Sequence, residues 1–253
     1  MITISIANCK GGVGKTIVAA NLAWEIARLG YLTLMVDLDP QCDLSKVYRR
    51  ESQDGPNIFR LLRGECAVEE ACLEVADNLY LVPGSRDTIH FDDKNGEKVL
   101  ANCLKDETLA EVDFVIIDHP PTLSEYTLAG FVASDAVLIV TDTESFSMRN
   151  LGHLFENLLG IKATMHPTLS ILGIVANKVD QRRKLTGIML RELESTFGEH
   201  VFSSRISYDT AIPISIRRGQ PLRRLDWRSR TIGQFQELTY EVLERVGIHH
   251  GNV

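Results

Sequence analysis

Along the chain, short apolar runs recur at 2–7, 32–36, 79–82, 112–117, 135–140 and 169–176, and most of the intervals between them are long enough for a helix. Strands alternating with helix-length segments predict a mainly parallel sheet. Several runs, among them Phe114-Val-Ile-Ile117 and Ala136-Val-Leu-Ile-Val140, are apolar at every position instead of every second one. Strands of that kind are covered on both faces. The expectation is therefore an α/β fold, a twisted, mainly parallel sheet with helices on both sides. In such sheets ligands gather at the carboxyl ends of the strands. Polar residues directly after the apolar runs thus become the functional candidates.

Composition narrows this picture. With 253 residues and 44% hydrophobic content the chain can bury one full core. No Pro, Ser or Gly-rich linker, repeat or low-complexity tract divides it, so residues 1–253 are expected to form a single domain. The first strand begins at residue 2, which leaves no room for a signal peptide, and no apolar run approaches the roughly 18 residues of a membrane span. A cytoplasmic protein is expected. The five cysteines (9, 42, 66, 72, 103) show no C-x-x-C and no His-linked spacing, which argues for reduced thiols over a zinc or iron-sulfur site. Net charge is −7, but between Gln181 and Arg230 eleven Lys and Arg stand against five acids. A basic segment on an acidic chain suggests a polyanion facing one surface.

The chemistry starts after the first run. Residues 8–16 read Asn-Cys-Lys-Gly-Gly-Val-Gly-Lys-Thr, a variant of the phosphate-binding loop G-x-x-x-x-G-K-[ST] with Cys9 at the first glycine position and a second lysine, Lys10. A strand precedes it and a helix-period segment, 16–27, follows it, which is the confirming order. Gly11, Gly12 and Gly14, with Val13 between them, allow successive N–H groups to turn inward, and the helix beginning near Lys15 adds its positive end to the same anion. A triphosphate is the natural occupant. After the second run, Asp37 and Asp39 stand two apart. They would face one side and could hold magnesium or position an attacking water, unless one merely caps the next helix. Asp118 ends the run 112–117 as the acid of a Walker B strand, and Pro120 and Pro121 turn the chain sharply after it. His119, alone in that turn, reads as structural. After the run 169–176, Asn177-Lys-Val-Asp180 resembles the guanine-reading motif of small GTPases, and a base contact for Asn177 is plausible with either purine.

Taken together, Lys10-Gly-Gly-Val-Gly-Lys-Thr16, Val36-Asp-Leu-Asp-Pro-Gln41 and Ile116-Ile-Asp-His-Pro-Pro121 closely resemble the ParA/MinD family of ATPases with a deviant Walker A motif, and within it the short, Soj-like ParA branch. The likeness covers nearly the whole chain, including Phe197-Gly-Glu-His-Val-Phe202 and Gly219-Gln-Pro221. It implies a P-loop NTPase domain that binds ATP and Mg2+ and hydrolyses ATP slowly under a partner's stimulation. By resemblance, Lys15 holds the β and γ phosphates, Thr16 ligates magnesium, Asp39 orients the hydrolytic water and Asp118 supports the metal. Lys10 reaches across a nucleotide-sandwich homodimer, supplying charge in trans as an arginine finger does. Many members carry a second threonine where this chain has Ile17, a loss of one hydrogen bond worth about 1.5–3 kcal/mol at most.

The resemblance also implies non-specific DNA binding by the ATP dimer, a ParB-like adaptor and a nucleoid-associated location, with a plasmid, chromosome or protein as cargo. Arg182, Arg183, Arg217, Arg218, Arg223 and Arg224 are the candidate DNA contacts, whereas Ala211 stands where Soj-like proteins carry an arginine. Met1 directly before the first strand argues against an N-terminal helix-turn-helix. Two alternatives remain. A nucleotide-gated adaptor with little hydrolysis would need the same lysines and Asp39. A MinD-like membrane ATPase would use the segment holding Ile232, Phe235, Leu238, Val242, Leu243 and Val246 as an amphipathic anchor. That segment carries Glu237, Glu241 and Glu244 in place of a basic face, so a core-packed closing helix without a membrane role is expected.

Overall fold

The computed structural model describes residues 1–50, 54–92, 96–143 and 148–249. Eight strands form one sheet: β1 (Ile2–Ala7), β2 (Thr33–Asp37), β3 (Leu73–Ala76), β4 (Leu79–Val82), β5 (Phe114–Asp118), β6 (Ala136–Asp142), β7 (Ser170–Val179) and β8 (Val201–Ser207). Their order is β3-β4-β2-β5-β1-β6-β7-β8. All pairings are parallel except β3 with β4. Every predicted run is a strand, with ends displaced by up to three residues. The two unpredicted strands, β3 and β8, are the sheet edges. Each mixes polar with apolar residues and so lacks the continuous apolar signal of a strand buried on both faces.

The helices are α1 (Lys15–Arg28), α2 (Asp43–Val47), α3 (Ile58–Leu62), α4 (Val68–Ala71), α5 (Val99–Cys103), α6 (Glu125–Val132), α7 (Met148–Thr164), α8 (Lys184–Phe197), α9 (Ala211–Arg218), α10 (Leu222–Leu225) and α11 (Arg230–Arg245). Side-chain alternation along each strand feeds two cores. On β5, Phe114 and Ile116 pack with α1 and α11, while Val115 and Ile117 pack with α3, α4, α5 and α6. Leu151, Leu154, Leu158 and Ile161 of α7 extend the second layer over Val137 and Ile139 of β6.

The closing helix α11 is core-packed. Phe235, Leu238, Val242 and Leu243 are at most 1% exposed, and the helix lies on α1 and β8. Glu241, one of the acids that argued against a lipid anchor, accepts the Ser203 and Ser204 backbone N–H groups at 2.9 and 2.8 Å. Among the described residues no helix is long and apolar enough to cross a membrane.

One position shows how tightly β7, β8 and α11 meet. Gly173 has φ +145°, and a Cβ there would lie 2.4 Å from the His200 carbonyl oxygen and 2.6 Å from an Arg245 guanidinium nitrogen. Arg245 is itself bonded to the Leu172 and Val201 carbonyls and stacked over Phe202. Gly173→Ala is therefore expected to lower unfolding free energy by about 2–3 kcal/mol, read as a shifted urea midpoint at unchanged slope.

Candidate functional site

The loop 8–16 leaves the carboxyl end of β1 at the centre of the sheet, with β5 on one side and β6 on the other. Asn8 stitches it in place: its side chain donates to Val140 O at 2.6 Å and accepts from the Lys10 N–H at 2.9 Å. Gly12 and Gly14 have φ of +79° and +93°, angles that L side chains rarely adopt. A Cβ on Gly14 would also lie 2.2 Å from the Asn177 amide nitrogen. That contact has a purpose, because the Asn177 amide donates to Val13 O at 2.8 Å and the Lys178 ammonium to Gly12 O at 2.5 Å. The end of β7 thus braces the loop from outside. The Asn177 amide is held in one orientation, with its Oδ1 buried and unpartnered.

Lys15 opens α1 at 6% exposure, its Nζ donating to Lys10 O at 3.2 Å. Burial lowers its pKa, and Asp118 and Asp39 oppose that shift. Asp37 and Asp118 end adjacent strands in direct register, and both are fully buried. Two like charges side by side without water are costly. Burial pushes Asp37 up to about 7 in spite of its bonds from Ser45, and Asp118 is raised by burial first and by Asp37 second. Asp37 Oδ2 accepts the Ser45 N–H and hydroxyl at 2.8 and 2.6 Å, and so fixes the first turn of α2. Its Oδ1 and both oxygens of Asp118 are buried without a hydrogen-bond partner, Thr16 being the nearby hydroxyl. Asp39 differs. It is partly exposed, accepts the Gln41 N–H at 2.8 Å, and is raised by burial.

A cleft of about 420 Å³ opens over these groups, a size suited to a small-molecule ligand. Gly11, Gly12, Gly14, Lys15, Thr16, Ile17 and Asp39 line it, while Lys10, Asp37, Asp118 and Asn177 do not reach its wall. Lys10 turns aside, its Nζ 3.9 Å from Asp142 Oδ2. Sequence reasoning missed Asp142, although it ends the apolar run of β6 as Asp118 ends that of β5. It also missed Ile212, Pro213 and Ile216 of α9, which form the apolar side of the cleft. Nothing in their spacing marks them, because α9 returns to the site from some 200 residues away.

The six candidate arginines part company. Arg182 and Arg183 both pair with Asp180, at 2.8 and 3.5 Å, with side chains 85% and 58% exposed. Arg217 and Arg218 sit exposed in the last turn of α9. Arg223 makes a two-point bond to Glu25 at 2.7 and 3.1 Å, and Arg224 lies over the Trp24 ring at 5.1 Å.

His119 is structural, as its position suggested. It is 1% exposed, its Nε2 lies 2.7 Å from Ser5 Oγ, and its ring stacks on Phe131 at 4.3 Å. Ser5 continues to Ser134, whose hydroxyl donates to Gly130 O. A Cβ on Gly130 would lie 2.5 Å from the imidazole.

The family model described as an AAA domain, AAA_31, matches residues 1–171. The chromosome-partitioning ATPase Soj of Thermus thermophilus is 31% identical over 245 residues, 96% of each chain. The septum site-determining protein MinD of Pyrococcus horikoshii, solved with Mg-ADP, is 25% identical with a TM-score of 0.81 over 98% of each chain. Cobyrinic acid a,c-diamide synthase of Mycobacterium smegmatis shares the fold at 23% identity, TM-score 0.86, over 98% of this chain and 96% of that one.

Burial holds His119 at about 3, below the ordinary 6.5. The unfolded chain therefore takes up the proton first, and His119 contributes stability above pH 6.5 that is lost as pH falls toward 3. Asp37 has the opposite sign. Its value of about 7 makes it stabilising below pH 3.8, an effect lost as pH rises through 7. In thermal melts of nucleotide-free protein, His119→Gln is expected to flatten the acid-side loss and Asp37→Asn the loss between pH 4 and 7. Unaltered profiles would contradict both assignments.

Proposed function

The chain belongs to the ParA/MinD family of P-loop ATPases, and we propose that it is a ParA-type positioning ATPase that binds ATP with Mg2+, dimerises around it and attaches to DNA. The observation that carries this reading is the buried Lys15 on the cleft wall with the unpartnered Asp118 carboxylate behind it. Asp118 and Asp39 beside the one ammonium would repel a triphosphate. The same acids, with hard oxygens left free, suit a divalent cation. Among the described residues no three His, Cys, Asp or Glu side chains gather as a metal cage, so Thr16 and Asp118 would hold magnesium mainly together with phosphate oxygens and water. When bound, magnesium neutralises charge on the β and γ phosphate oxygens.

The chain's own residues do the rest. Loop N–H groups and Lys15 bind the phosphates, and the start of α1 adds its positive end. Asp39, partly exposed and with a raised pKa, orients the water and takes its proton as the bond to the γ-phosphorus forms and the β–γ bridge breaks. ADP and phosphate leave. Asn177 acts from behind the cleft, its amide holding Val13 of the loop in place. Asp180 is engaged by Arg182 and Arg183, which favours ATP over GTP.

Lys10 lies off its own cleft, beside Asp142 at 3.9 Å, and serves the facing site, so each active centre is completed by Lys10 of the partner subunit. The dimer then doubles the basic surface of Arg182, Arg183, Arg217 and Arg218, and affinity for phosphates compounds with their number. A ParB-like adaptor stimulates hydrolysis and a cytoplasmic, nucleoid-associated location follows. The burial of the apolar face of α11 speaks against the membrane alternative.

Lys10→Ala is expected to keep nucleotide affinity within twofold and to lose hydrolysis in a phosphate-release assay. Parent-like hydrolysis would remove the role in trans. Binding to duplex DNA is expected with ATP and not with ADP, falling steeply with salt. In Arg217→Ala/Arg218→Ala the slope of log K against log salt should shrink by about 0.9 for each phosphate no longer neutralised. An affinity indifferent to nucleotide and salt would refute DNA attachment.

A further inference from the structure

A second cleft lies at the far end of α1. Fourteen residues at 1.5 Å each put it about 20 Å from the P-loop. Its volume is about 430 Å³, close to that of the nucleotide cleft, and it is walled by the last turns of α1, the β3–β4 turn and α10. Nothing in the proposed ATPase cycle uses it.

Its chemistry is cationic and planar. Glu25, 3% exposed, is shared by two guanidiniums, accepting from Arg28 at 2.8 Å and from Arg223 at 2.7 and 3.1 Å. The Gln236 side-chain oxygen, in the amide orientation that satisfies both its ends, accepts from the same two arginines at 3.0 Å each. Both forks are thus held in place, and one carboxylate offsets only one of them. Arg224 adds a third guanidinium over the Trp24 indole at 5.1 Å, with no carboxylate paired to it among the described residues. Asp77 is the opposing charge on the wall, beside the neutral Asn78. Three cations against Glu25 and Asp77 leave a surplus of positive charge. Glu25 and Gln236 take the Nε and Nη2 edges of Arg28 and Arg223, which leaves their Nη1 donors and the Arg224 guanidinium for a carboxylate or phosphate.

We propose that this cleft is a second ligand site, for a small organic oxyanion bearing a carboxylate or a phosphate and seated against the stacked Arg224 and Trp24. The cleft stands on α1, whose other end carries Lys15, so its occupant and the nucleotide sit on one rigid element.

The test uses Trp24 as its own reporter. The chain has two tryptophans, and Trp227, 69% exposed, is replaced by Phe. With the P-loop saturated by ADP and Mg2+, the protein is titrated with inorganic phosphate and, separately, with citrate. A saturable change in Trp24 fluorescence is expected with at least one. Phosphate alone would assign a phosphorylated ligand, citrate alone a carboxylate, and both a general oxyanion. Arg224→Gln and, independently, Arg28→Gln should weaken the response tenfold or more while ADP still binds. No saturable change with either anion, a response abolished by ADP, or parent-like affinity in both variants would overturn the proposal. None of these outcomes depends on DNA attachment, dimerisation or hydrolysis.

Discussion

One ammonium facing Asp118 and Asp39, with Asp37 buried beside Asp118, sets the terms for the centre of this molecule. Lys15 is buried, Asp37 and Asp118 are buried in register on neighbouring strands, and Asp39 stands at the rim. Such a cluster persists only because a packed sheet prevents water from dispersing it and because each charge is answered locally. Asp37 is answered by Ser45, which in turn anchors Gly84. Asp118 has only the Thr16 hydroxyl and the Lys15 charge to offset its burial. The rest of the site reads as arrangements around that imbalance: a loop that brings in N–H donors, a helix whose positive end points at it, and a strand end that splints the loop.

Much of this was legible in the chain. The central strands announce themselves because burial on both faces requires every residue to be apolar, and the acids after β2 and β5 follow as residues that such strands would not otherwise tolerate. The edges were silent, since β8, Val201-Phe-Ser-Ser-Arg-Ile-Ser207, is neither continuously apolar nor strictly alternating and β3 is four residues long. The α9 wall of the cleft was silent for another reason: Ile212 and Ile216 acquire meaning only when the fold carries them back over the P-loop. The arginines show the limit of reading charge along a sequence. Arg223 and Arg224 counted alike as basic residues, yet Arg223 is half-buried against Glu25 while Arg224 is exposed over a tryptophan.

Helix α1 connects these themes. Its first residue is the buried Lys15 of the glycine loop, and Asn21 and Glu25 further along hold α10 through the Leu222 N–H and Arg223. The glycine loop at one end and the basic C-terminal segment at the other are therefore fastened to the same rod.

The contact between His119 and Gly130 has a consequence for how the sequence can change. The His119 ring, with the Leu38 side chain, occupies the space that any side chain at 130 would need. Neither position can drift alone: a larger residue at 130 requires a smaller one at 119, which would also surrender the bond to Ser5. The two sites, eleven residues apart and on different elements, form a single heritable unit, and lineages related to this chain are expected to carry them as matched pairs.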